Sequence, residues 1–198
     1  MRVLILCITL LWTVTSSARE LTDLRTFGQP SKNEIYLFTS PNCPHCRDFH
    51  KSIFPELIKR YINTQRAQLF IVDMPYDTNS LHAAMLLRCL DGDKANRMTS
   101  WLYETQGNWV DLQNPDPMFL NYLKQYGVTS EEFNTCLSNE TLKNTLIQQR
   151  DNLSNLYQVR GWPTTVLRKG HIVRHYVGAN KQSILNDLEQ DLKDFEQQ

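Results

Sequence analysis

Ile35-Tyr36-Leu37-Phe38-Thr39-Ser40-Pro41-Asn42-Cys43-Pro44-His45-Cys46 is the stretch whose reading decides the fold. An apolar run ends at a Ser-Pro-Asn turn, and a C-x-x-C follows at once. Beyond it Phe49, Ile53, Phe54, Leu57, Ile58 and Tyr61 recur at helical spacing, which predicts an amphipathic helix from Cys43 to about Tyr61. Ile35 and Leu37 fall on one face of the strand and Tyr36 and Phe38 on the other, so the strand is expected to be central and covered on both sides. Cys43 then starts a helix, where unpaired N–H groups and the positive end of the dipole stabilise a thiolate, the reactive form of cysteine. Cys46 lies one turn behind it. The pair reads as a redox-active dithiol.

Working outward, Leu69-Phe70-Ile71-Val72 within 67–72 is a second buried strand, expected to run parallel to the first across a right-handed crossover. Residues 77–157 then carry helix after helix without a convincing strand and are read as an inserted helical subdomain. Leu81, Met85 and Cys89 share a face of its first helix, and Ala95, Met98, Trp101, Leu102 and Tyr103 mark a second. Thr129-Ser130-Glu131-Glu132 resembles a capping box opening a short helix with Phe133, Cys136 and Leu137. A long helix from about Glu140 places Leu142, Leu146, Leu153, Leu156 and Tyr157 near one face. Gly161 to Leu167 and His171 to Val177 form an antiparallel hairpin about Lys169-Gly170, and Asn180 caps a last helix. The order is that of a thioredoxin-like α/β fold with a helical insertion.

The 198 residues suit one domain with an insertion, and 21 basic against 21 acidic side chains leave no net field to attract nucleic acid. Met1-Arg2, the apolar run Val3 to Val14 and the small residues Ser16 and Ala18 read as a secretory signal peptide, 1–18, cleaved after Ala18. The run is shorter than the ~20 apolar residues that span a bilayer. Of the four cysteines beyond it, Cys43 and Cys46 are the natural local pair. Cys89 and Cys136 are left either as a structural bridge or as two buried thiols. Zinc would need two more ligands at compatible spacing, and no second C-x-x-C is present, so no metal or cofactor is expected. His50, His82, His171 and His175 have no partner legible in the sequence and are read as surface or packing residues. The sequons at Asn139 and Asn152 are read as accidental.

Gly28-Gln29-Pro30 through Tyr61, with Cys43-Pro44-His45-Cys46, Phe49-His50 and Pro55-Glu56-Leu57, resembles the DsbA family of secreted thiol:disulfide oxidoreductases, in particular its Com-type branch. So do the helical insertion with a cysteine on each of two helices and the segment Gly161-Trp162-Pro163-Thr164, giving a likeness over roughly residues 26 to 197. The resemblance implies a dithiol oxidase that forms disulfides in exported or unfolded proteins bearing thiols. It implies a periplasmic or secreted location and recycling by a membrane quinone-linked thiol oxidase. It further implies that Pro163 is a cis-proline lying against Cys43 and Cys46, with Trp162 and Pro163 binding the substrate backbone. The substrate thiolate is expected to attack an exposed Cys43 sulfur, with His45 adding charge or a hydrogen bond and Pro44 fixing the backbone. Two positions depart from the family pattern: Leu37 stands where many relatives carry a buried glutamate, and Trp162 where they carry a small or β-branched residue. A disulfide reductase or isomerase on the same fold is the alternative activity, and a peptide-binding chaperone without turnover the alternative class. The isomerases of this family add an N-terminal dimerisation domain for which residues 19–33 are too few, and a monomer is expected.

Overall fold

The computed structural model describes residues 24–197. The signal-peptide reading of 1–18 lies outside the described residues. Strands β1 (Arg25–Phe27) and β2 (Glu34–Thr39) precede helices α1 (Pro44–Ser52) and α2 (Phe54–Leu57), which runs on into a π-helical turn, Ile58–Ile62. After β3 (Gln68–Asp73) come α3 (Thr78–Cys89), α4 (Gly92–Glu104), α5 (Gln106–Trp109), α6 (Asp116–Lys124), α7 (Ser130–Leu137) and α8 (Glu140–Leu156). The hairpin β4 (Thr164–Lys169) and β5 (Ile172–Val177) leads to α9 (Lys181–Glu196). The sheet order is β1-β3-β2-β4-β5, with β2 in the middle. It pairs parallel to β3, from Glu34↔Gln68 to Thr39↔Asp73, and antiparallel to β4.

The central strand has its two faces in two cores. Ile35 and Leu37 pack with Phe49, Leu57 and the α9 residues Leu188 and Leu192, while Tyr36 and Phe38 pack with Leu153, Tyr157 and Val166. Each fully buried side chain of this kind contributes about 1.5–3 kcal/mol, so the alternation-free apolar run is what anchors the sheet. Gly28 turns the chain between β1 and β2 at φ +86, and a Cβ there would lie 2.7 Å from Ile62. Only glycine meets both demands.

The insertion has its own core, in which Met85, Met98, Leu102, Trp109, Phe119 and Phe133 are buried. Side chains of Asp77, Asp91 and Thr129 cap α3, α4 and α7, the last in a full capping box with Glu132. Cys89 and Cys136 are joined, S–S 2.10 Å, tying α3 to α7.

Two local expectations need correction, and the short helices α5 and α6 go unassigned in the sequence. The helix expected from Cys43 to Tyr61 breaks at Ile53, because Pro55 has no N–H to give the carbonyl one turn back and its ring crowds that carbonyl. Helix α6 is absent from the sequence reading; its buried residues Phe119 and Leu123 are one turn apart in a segment that opens with Asn114-Pro115-Asp116-Pro117, which reads as loop. Leu156, assigned to the inner face of α8, is 62% exposed, since the buried line runs Leu146, Gln149, Leu153 and then Tyr157.

Candidate active site

Strand β2 delivers the chain to the start of α1. Cys43 is the N-cap, extended at φ −85 and ψ 122, and Pro44 occupies the first helical position, where its missing N–H costs nothing. Both sulfurs are free thiols. The Cys43 thiol donates to the Trp162 carbonyl at 3.7 Å, and the Ser40 N–H donates to the Cys46 sulfur at 3.4 Å. Cys46 is 1% exposed and Cys43 6%. The exposed Cys43 sulfur expected from sequence is therefore corrected: Trp162 and Tyr103 pack over the pair.

The two thiols are driven apart. A hydrogen bond from the Cys46 side chain, backbone N–H groups of Cys46 and His45 and the His45 charge together pull Cys43 down to about 6, against burial. Burial, and donation of its proton to Cys43, push Cys46 far up. Alkylation by iodoacetamide is thus expected to follow a single titration with its midpoint near pH 6, from Cys43, with Cys46 silent through neutral pH; peptide mapping after a brief pulse checks it. The sign for stability follows from the same shift. The folded value lies below an ordinary thiol's ~8.5, so the stabilisation of the reduced protein is complete above that pH and is lost as pH falls through 6.

The insertion holds the loop that carries Cys43. Gln106 of α5, itself buried, donates to the carbonyls of Pro41 at 2.8 Å and Cys43 at 3.0 Å. Asn42 donates to Asp77 at 2.7 Å and its side-chain oxygen accepts from Ser40 at 2.8 Å. The Tyr103 and Thr39 hydroxyls are bonded at 2.8 Å. Because Gln106→Ala leaves the buried Pro41 carbonyl without this donor, it is expected to cost about 2 kcal/mol, read from urea unfolding of the reduced protein. Nothing in the sequence pointed to Gln106, which lies more than sixty positions from the loop.

Trp162-Pro163 is a cis peptide, and the Trp162 ring lies 5.8 Å from that of Tyr76. The structure thus brings Cys43, Cys46, Trp162 and Pro163 together, with Pro44 and His45 exposed at the rim. Leu37 is buried among apolar side chains.

With strand order, insertion and dithiol placed, the comparison with known proteins is direct. The thioredoxin family profile matches residues 23–187. The chain belongs to the thioredoxin family. A Rickettsia felis relative, provisionally named a protein-disulfide oxidoreductase, is 29% identical over 139 residues, 69% of this chain and 50% of that protein. This chain therefore spans about half the length of the curated relatives it matches. Among solved structures, Wolbachia pipientis alpha-DsbA1 superposes with a TM-score of 0.77 at 17% identity, covering 87% of this chain and 92% of that one. Oxidised BdbD from Bacillus subtilis gives 0.73 at 19%, covering 87% and 95%. The fold of this thioredoxin-family chain is thus that of the DsbA-type proteins.

Two other histidines of this thioredoxin-family protein are held by partners outside the dithiol. His82 pairs with Asp116 at 2.9 Å, and His175 is bonded to the Tyr157 carbonyl. His50 is different: four residues after Cys46 on α1, it stacks between Phe54 and Tyr103 at 5.0 and 4.5 Å. That i, i+4 spacing was the available signal for its nearness to Cys46. Among the described residues no group of three or more His, Cys, Asp or Glu could hold a metal.

Proposed function

We propose that this chain is a thiol:disulfide oxidoreductase acting as a dithiol oxidase on exported proteins. The observation that carries the reading is the unequal placement of the two sulfurs: Cys43 caps the start of α1, where helix N–H groups favour the thiolate, and Cys46 is buried behind it, which favours the thiol. In the oxidised protein a substrate thiolate attacks the Cys43 sulfur, the Cys43–Cys46 bond breaks, and Cys46 leaves and takes up a proton. A second substrate thiolate attacks the substrate sulfur of the mixed disulfide and expels Cys43 as a thiolate. Two substrate thiols become one disulfide, and the protein disulfide becomes a dithiol. A good leaving thiolate speeds the second step and stabilises the reduced form. His45 supports it by charge, Pro44 by shaping the helix start, and Trp162 and Pro163 form the wall beside which the substrate backbone lies.

In magnitude, moving a dithiol from about −270 mV to about −120 mV requires ~7 kcal/mol in favour of the reduced form. Equilibration with glutathione measures it: a potential well above −270 mV is expected, and a value near −270 mV overturns the oxidase reading in favour of a reductase. The signal-peptide reading of 1–18 supports export, and the resemblance to DsbA-type proteins supports a monomer reoxidised by a membrane quinone-linked thiol oxidase; N-terminal sequencing of the exported protein should begin at Arg19.

A further inference from the structure

Behind Cys46 lies a cleft of about 300 Å³, at the seam where β1, α1 and α2 of the thioredoxin core meet α4 of the insertion. Cys46 lines it, while Cys43 and Trp162 do not, so it is distinct from the face at which substrate reacts. Its walls are apolar, with Leu37, Phe54 and Ile71 among them, and Ser100 lies on the α4 side. Clefts of this size at the junction of two structural units are the usual seats of small ligands.

The charge around it is not balanced. The buried Asp73 carboxylate is shared by Arg25 and Arg88, each at 3.1 Å, so two guanidinium groups meet one carboxylate. Arg88 also reaches the neutral Gln149, and Arg25 the Thr99 hydroxyl. Arg25 lines the cleft, and its Nε is buried with no hydrogen-bond partner among the described residues. A buried N–H of a charged group left in this way is costly, and an anionic acceptor relieves the cost. His50, in the same cleft, is pushed down to about 4, first by burial and then by the Arg25 charge. Among the described residues no Asp or Glu lines the cleft.

We propose that this cleft binds a small apolar carboxylate, its hydrocarbon part against Leu37, Phe54 and Ile71 and its carboxylate on Arg25. The occupant contacts the Cys46 sulfur from the side opposite the chemistry. This goes beyond the oxidase reading and does not depend on it.

The test is calorimetric titration of the reduced protein with octanoate, octanol and octylammonium, which share one chain and differ in head-group charge. Octanoate is expected to bind one to one, roughly tenfold or more tighter than octanol, as one charge-assisted hydrogen bond supplies, with octylammonium silent. Ser100→Phe, which fills the cleft from α4, should abolish binding while leaving the circular dichroism unchanged. Arg25→Gln should erase the preference for the acid, and bound octanoate should raise the His50 pKa seen by NMR. Equal affinity for acid and alcohol, or octanoate binding that survives Ser100→Phe, overturns the proposal. Cys43→Ser, which removes the redox chemistry, should bind octanoate as the parent does, so failure of the oxidase reading and failure of this one are read separately.

Discussion

Cys46→Ser is expected to stop the protein half-way through thiol exchange, leaving Cys43 joined to its substrates. The Cys43 thiolate of the variant attacks a substrate disulfide and expels one of its sulfurs as a thiolate. In the parent, Cys46 then attacks the Cys43 sulfur from within the same turn of α1, releases the bound substrate thiolate and restores the Cys43–Cys46 disulfide. Well-oriented intramolecular groups act at effective concentrations on the order of 10⁵ M or more, and thiols in solution at millimolar levels cannot match this. Turnover should therefore fall at least about 1,000-fold while Cys43 adducts accumulate, visible as bands on non-reducing gels that vanish with reductant. The serine variant keeps the Ser40 N–H as a neighbour, but loses the thiol whose hydrogen bond does most to hold Cys43 as a thiolate. The Cys43 alkylation midpoint should accordingly rise from about 6 towards an ordinary thiol value. Cys43→Ser should form no adducts at all, because Cys46 is buried and strongly favours the thiol. Absence of adducts from Cys46→Ser would support a peptide-binding chaperone without turnover.

Cys89→Ala with Cys136→Ala should destabilise the protein by about 4 kcal/mol and leave the Cys43 titration unchanged. The bridge closes a loop with a sequence separation of 47, and in the chain-entropy treatment a loop of this length restricts the unfolded chain by about that amount. For a chain of this size it corresponds to a fall in melting temperature of roughly 8–16 °C. Cys136 is buried against α3, with its sulfur 3.3 Å from the Met85 carbonyl, so the cost falls on the packing of α3 with α7. Neither residue contributes to the Cys43 shift. Thermal and urea unfolding of oxidised parent and double variant, alongside iodoacetamide titration, checks both halves; a loss below about 1 kcal/mol would show that the reduced insertion is held by its apolar core alone.

Much of this fold is written in short-range patterns. A strand apolar on both faces, a C-x-x-C at its end and a helical period beyond it specify the redox unit, and the turn residues Lys169-Gly170 specify the hairpin. Pro55 could have marked the helix break in the same way, since its effect is local. Helix α6 was hidden because two buried residues one turn apart make no period. The site divides along the same line. Cys43 at a helix start, and Cys46 and His50 on one helix face, follow from spacing alone.

What the sequence determined by itself, then, is the fold class and the position of a dithiol at a helix N-terminus, since helical and strand periods and capping act over a few residues. Tertiary structure alone decided that Cys43 is covered, through a carbonyl 119 positions away, that Gln106 holds its loop, and that Arg25 faces a cleft behind Cys46. Burial, orphaned donors and charge surplus are properties of neighbours, and these neighbours become adjacent only when the insertion closes on the sheet.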